Sequence, residues 1–342
     1  MEMTREMMFE FLYNLPSQFE ECLGMDFSAV SRLRKDYSHI VVTGMGGSAI
    51  GGDILRCYCQ RRASSPVAVT RDYVLPRFVG PGSLVLAVSY SGNTEETLAA
   101  YEQAREQGAS VVAVTTGGKL AEMASRDGNP VIRIPGGLVP RAATGYLFAP
   151  LALVLEELGL VAGVREDLKE TVTVLEQVRR EVEPSRQQES NPAKIIAERL
   201  YGRIPVIWGC SSTSEVAAMR WKGQINENAK TLAYYNVFPE LNHNEIVGFE
   251  VPQELVKKIA VVILRDPDDH VRTVKRIKIT TDIIKDRVDN LSEVETRGQS
   301  FLAKVYSLIY VGDYTSVYLA DMYGVNPTPV EVIDYLKNKM AE

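Results

Sequence analysis

The chain opens on helical spacing. In residues 1–35 the apolar positions Met8, Phe9, Leu12 and Phe19 recur at helical intervals and predict helices. The pattern then changes to short continuous apolar runs: HIVVTG (39–44), PVAVT (66–70), SLVLAVS (83–89), SVVAVTT (110–116) and PVIRIP (130–135). They are rich in β-branched residues and bounded by Gly, Pro, Ser or Asp, as strands are. Amphipathic stretches such as TEETLAAYEQAREQG (94–108) separate several of them. Apolar strands alternating with helices predict a parallel sheet covered on both faces.

Residues 146–161 predict a buried helix. Residues 164–191 are highly charged but keep Leu168, Val172, Val174, Leu175 and Val178 at helical spacing, which predicts an exposed connecting helix. A second alternation follows: strand RIPVIWGC (203–210), a capped helix over 211–230, strand KKIAVVILRD (257–266) and a helix over 270–286. A long helix over 301–324 stops at Gly324, and VEVIDYLKNKM (330–340) predicts a last amphipathic helix. The expected fold class is α/β, with two doubly wound, flavodoxin-like parallel-sheet domains. The first spans 1–160, a connecting helix spans 161–192, and the second spans 193–342. Only the layout repeats between the halves.

A length of 342 residues suits two such domains. The net charge is −6 and no Lys/Arg cluster marks a nucleic-acid surface. The longest apolar run, YLFAPLALVL (146–155), is too short to span a bilayer, and MEMTREMMFE at the N-terminus lacks the apolar core of a secretory signal. Cys22, Cys57, Cys59 and Cys210 form no CxxC pair and read as reduced thiols in a cytoplasmic protein.

In doubly wound sheets, ligands bind at the carboxyl ends of the strands near a switch in strand order. Here the first strand ends in GMGGSAIGG (44–52), where Gly46, Gly47 and Ser48 open a helix, and the third ends in SYSGNT (89–94). Glycine brings backbone N–H groups close to a ligand, and a helix N-terminus favours an anion. The hydroxyls of Ser89, Ser91 and Thr94 add further donors for a phosphate. Each turn has a plainer reading. Gly44–Ala49 also fits a dinucleotide fingerprint, with Asp72 as the ribose acid, and Ser91 or Asn93 fits a helix cap. A dinucleotide fold has no use for the second turn.

The segments GMGGSAIGGD, SYSGNTEET and TTGG (115–118) resemble the sugar isomerase (SIS) domain, which binds phosphosugars. PRAA (140–143), NENAK (226–230), ELNHNEIVGFE (240–250), YGVNP (323–327) and IDYLK (333–337) are similar to the bifunctional phosphoglucose/phosphomannose isomerases, over nearly the whole chain and in the same order. The resemblance implies interconversion of glucose 6-phosphate and mannose 6-phosphate with fructose 6-phosphate through a cis-enediolate, with neither metal nor redox cofactor.

Such a reaction needs a phosphate anchor, ring opening, a base moving a proton between C2 and C1, and a cation facing the enediolate. Glu227 in NENAK is the candidate base; by residue type alone it also reads as a solvated helix glutamate. His243 is the candidate for ring opening, because an imidazole exchanges protons near neutral pH; it also reads as a hydrogen-bonded loop histidine. Arg141 is the candidate cation, or else an ordinary ion pair. The resemblance matches Lys337 to a lysine that reaches the active site, and places an active-site threonine within a residue or two of Thr328. It implies that His243 serves the partner subunit of a homodimer, with the active site at the interface. The His243, Glu240 and Glu245 grouping has no metal-ligand spacing such as HExxH. Two other functions compete: a non-catalytic phosphosugar sensor, which would need neither Glu227 nor His243, and a nicotinamide-dependent dehydrogenase.

Overall fold

The structure is a computed structural model that describes residues 4–340; the N-terminal stretch read as helical from residue 1 is therefore described from Thr4 onward. The helices are α1 (Arg5–Tyr13), α2 (Leu15–Leu23), α3 (Gly46–Cys59), α4 (Glu95–Glu106), α5 (Gly118–Arg126), α6 (Thr144–Glu157), α7 (Val164–Val182), α8 (Pro192–Leu200), α9 (Glu215–Ala229), α10 (Gln253–Val256), α11 (Val271–Ile284), α12 (Phe301–Tyr323) and α13 (Glu331–Met340). The strands are β1 (His39–Thr43), β2 (Val67–Thr70), β3 (Ser83–Val88), β4 (Ser110–Thr115), β5 (Val131–Arg133), β6 (Ile204–Cys210), β7 (Tyr234–Phe238), β8 (Ile259–Arg265) and β9 (Asn290–Glu295).

The chain forms two compact units. One contains residues 14–173 and 298–303; the other contains, among the described residues, 4–13, 174–297 and 304–340. The N-terminal helix α1 therefore belongs with the second sheet, whereas the sequence places it in the domain over 1–160. The first unit holds a five-stranded parallel sheet in the order β2-β1-β3-β4-β5. The second holds a four-stranded parallel sheet in the order β7-β6-β8-β9. Counted from the first strand of each sheet, both orders begin 2-1-3-4, so topology as well as layout repeats.

Burial follows the strand pattern. Every residue of β3 is buried, and β1, β4, β6 and β8 are buried along nearly their whole length. The edge strands β7 and β9 are largely exposed or half-buried, which is why their sequences, YYNVF and NLSEVE, lack a continuous apolar run. α6 is buried on all sides, as expected, with Pro150 inside it. α7 is less exposed than its charge suggests. Val164, Leu168, Leu175, Val178 and Val182 are buried, so one stripe serves the core while the charged residues line the other face. The four cysteines are buried and form no disulfide, and burial pushes the Cys59 thiol up to about 12. Among the described residues no helix is long and apolar enough to cross a membrane.

Candidate functional site

In the first unit, the expected phosphate residues gather at the carboxyl end of the sheet. α3 starts at Gly46 directly after β1, so its first N–H groups have no partners within the helix. The backbone packs tightly here: a Cβ on Gly47 would lie 2.8 Å from the carbonyl oxygen of Pro140 and 3.5 Å from the Cα of Arg141. Glycine at 47 thus lets the segment carrying Arg141 lie against the first turn of α3. The Arg141 residue is only 4% exposed, so its guanidinium lies in a dry environment, and its backbone lies against the first turn of α3.

The turn after β3 lies alongside. Ser89 is fully buried; its Oγ shares a 2.9 Å hydrogen bond with Thr94 Oγ1 and accepts one from the Gly92 N–H at 3.1 Å. Ser91 Oγ accepts from the Asn93 N–H at 3.2 Å. Gly92 has a φ of +71°, and a side chain there would run into the carbonyl of Gly117, at the TTGG turn. Thr94 stands at the N-cap of α4 without a capping bond from its side chain, so its hydroxyl serves the turn instead of the helix. Tyr90 links this turn to the segment that delivers Arg141. Its hydroxyl donates to the Pro135 carbonyl at 3.1 Å and accepts from the Leu138 N–H at 3.0 Å, and burial pushes the phenol's pKa up. Gly46, Gly47, Ser48, Ser89, Ser91, Thr94 and Arg141 are therefore brought together. Asp72, the acid of the dinucleotide reading, folds its carboxylate onto the Tyr73 N–H at 2.6 Å.

In the second unit, Glu227, His243 and Lys337 stand on three separate elements. Glu227 is half-buried in the last turn of α9. A polar ladder at i and i+8 spacing fixes that helix to α12. Arg220 donates to Asp313 twice, at 3.1 and 2.7 Å, and Asn228 donates to Ser316 Oγ at 2.8 Å. Burial pushes the Asp313 carboxyl up, and Arg220 opposes that shift. α9 ends at Lys230, whose φ of +57° breaks the helix. The Lys230 ammonium donates to the carbonyls of Glu227, Pro327 and Pro329, tying the tail that leads into α13 to the turn bearing Glu227.

His243 ends a 3-10 turn (Glu240–His243) after β7 and is exposed. Lys337 lies on α13, none of whose side chains is buried. Thr328 is fully buried, and its Oγ1 donates to the Thr4 carbonyl at 2.8 Å, which gives it a place in the packing. The sequence reading did not single out Lys230, Arg220 or Asp313. Lys230 sits inside NENAK and was legible there as a motif residue. The Arg220–Asp313 pair is separated by 93 positions, and no local pattern joins it.

Two parallel doubly wound sheets, one with hydroxyl- and glycine-rich turns at its strand ends, define a protein of the SIS class. The SIS domain family model matches residues 33–129, and that of the bacterial phospho-glucose isomerase C-terminal SIS domain matches residues 189–340. The fold is similar to the C-terminal domain of glucosamine-fructose-6-phosphate aminotransferase from Francisella tularensis (TM-score 0.71, 16% identity, 94% of this chain and 98% of that one). The chain is 50% identical to the bifunctional phosphoglucose/phosphomannose isomerase of Caldicellulosiruptor bescii over 98% of its own length and 99% of that protein. It is 38% identical to the protein of the same name from Aquifex aeolicus, over 90% of this chain and 91% of that one. The chain belongs to the family of bifunctional phosphoglucose/phosphomannose isomerases.

Proposed function

We propose that this protein interconverts glucose 6-phosphate and mannose 6-phosphate with fructose 6-phosphate by proton transfer through a cis-enediolate. The observation that carries the reading is the gathering of Gly46–Ser48, Ser89, Ser91, Thr94 and Arg141 at one sheet end, in a chain of this family. The turns hold the phosphate through N–H and O–H donors. His243 moves the proton that opens the ring. Glu227 takes the proton from C2 and returns it to C1, while a proton passes between O1 and O2. Arg141 faces the negative charge of the enediolate, and its burial keeps that charge strong. Lys337 completes the set at the sugar. The two aldoses differ only at C2, which becomes trigonal once its proton leaves, so one enediolate route serves both. The chemistry asks for no metal.

The working unit we propose is a homodimer in which His243 serves the partner's site. Support comes from the surface around it. His243 is exposed, and so are Tyr234 and Tyr235 on β7, Val247 and Val251 in the loop beyond it, and Leu255 on α10. Exposed apolar residues of this kind support an interaction surface. Mixed dimers of Glu227→Gln and His243→Ala test this. Each mixed dimer rebuilds one whole site, so random mixing restores about a quarter of wild-type activity from two severely impaired proteins. No restored activity overturns the shared site.

The reaction itself is tested by NMR of the protein with fructose 6-phosphate in D2O and excess EDTA. Glucose and mannose 6-phosphates, both deuterated at C2, are the expected products. Glucose 6-phosphate alone would overturn dual specificity. Saturable binding without turnover would favour a sensor.

A further inference from the structure

We infer that Glu245 is a positioning residue that holds the loop carrying His243 in its working shape, by anchoring it to Trp208 and Asn236; this rests on the reading of His243 as a proton carrier. Trp208 lies on β6 and is fully buried. Phe238 and Phe249, at the two ends of the loop, both meet its ring edge-to-face, at centroid distances of 5.7 and 5.6 Å. The loop therefore rises and returns on one indole. Between those stems, the carboxylate of Glu245 reaches back to the same residue: Oε1 accepts the Trp208 Nε1–H at 2.8 Å. Its other oxygen accepts from the side-chain amide of Asn236 on β7. One carboxylate thus joins the loop to two neighbouring strands.

The remaining loop contacts surround His243 without holding it. Asn242 donates to Thr280 Oγ1 on α11 at 2.8 Å, and Asn244 donates to Glu240 at 3.0 Å while accepting from the Glu245 N–H at 2.6 Å. The His243 side chain makes no hydrogen bond or ion pair with any described residue. Its position is therefore set by the backbone on either side, and Glu245, two residues away, is the strongest tie of that backbone to the sheet. A part-buried charged acceptor with two donors outweighs the neutral Asn242–Thr280 pair and the exposed Asn244–Glu240 pair. Small misplacement of a reacting group is costly, so Glu245 acts on turnover through His243 without touching substrate.

The test is a double-mutant cycle on the full-length protein, read by kcat and KM for fructose 6-phosphate. Glu245→Ala lowers kcat about a hundredfold, the size expected for a reacting group displaced by an ångström, and leaves KM within about twofold. Glu245→Gln keeps one acceptor oxygen and loses about tenfold, which covers the case where the alanine variant folds poorly. In a His243→Ala background, Glu245→Gln causes no further loss. The ring signals of the three histidines supply a second readout. Glu245→Gln shifts or broadens the signal of His243 and leaves those of His39 and His270 in place. Equal losses from Glu245→Gln in both backgrounds, or an unmoved His243 signal, would overturn the inference alone. Full turnover by His243→Ala would overturn the reading of His243 and this inference with it.

Discussion

In the first sheet, the turns after β1 and β3 flank the point where the strand order reverses; in the second sheet, the turns after β6 and β8 hold the same position. Both places carry hydroxyls, Ser89, Ser91 and Thr94 in one and Ser211, Ser212, Thr213 and Ser214 in the other. Their bonding differs. Around Ser89 the hydroxyls bond to one another and to N–H groups of the same turn. In the second sheet, Ser214 Oγ accepts the Cys210 N–H at 2.9 Å and donates to the Leu264 carbonyl of β8 at 2.8 Å. Thr213 Oγ1 donates to Asp269 at 2.6 Å, and Asp266 and Asp268 stand close by, paired with Lys304. A phosphate there would face carboxylates and hydroxyls already committed to the protein. The fold supplies the same location twice, and the side chains differ in what they leave for an anion.

This contrast can be broken at several points. The largest effect is expected at Glu227, the proposed base on α9 of the second unit. Glu227→Gln lowers kcat by about a thousandfold or more, with sugar phosphate still bound, as a coupled assay with a binding titration would measure. Turnover within tenfold of wild type would remove Glu227 from the mechanism.

Next is the polar ladder that serves packing. Arg220→Met leaves the Asp313 carboxylate buried without its guanidinium and costs about 3–5 kcal/mol, a fall in melting temperature of about 10 °C. Calorimetry reads this directly, and an unchanged melting temperature would show that the pair contributes nothing net.

The most direct comparison pairs the two turns. Ser89→Ala with Thr94→Ala removes two hydroxyls from the proposed phosphate turn and is expected to raise KM about thirtyfold or more, with kcat little changed. Thr213→Ala with Ser214→Ala leaves KM unchanged and costs about 1–3 kcal/mol of stability, because the Cys210 N–H and the Leu264 carbonyl lose their partner. If the second pair raised KM as the first does, both turns would be binding phosphate.

Much of this was legible along the chain. The central strands read as continuous apolar runs because both of their faces are covered. The edge strands β7 and β9 escaped, since one side of each faces solvent and their sequences mix Tyr, Asn, Ser and Glu with apolar residues. The segment SSTS was read as a cap for α9. Ser214 does occupy the N-cap position, but its hydroxyl is turned to β6 and β8 instead of the helix. The apolar stripe of α7 was visible as a period; its burial was not, because charge on the opposite face is equally consistent with an exposed helix.

The sequence by itself determined the alternation of strand and helix, the places where glycine and hydroxyl residues interrupt it, and the motifs that carry the family. Those are local properties, set by residue type and spacing within a few positions. The tertiary structure alone decided that Gly47 lies against Pro140 and Arg141, that Ser214 and Thr213 are bound to β8 and Asp269, and that Trp208 holds the loop of His243 through Glu245. Each of these depends on which distant group meets a donor or a bare Cα. That partner is known only once the strands have taken their order.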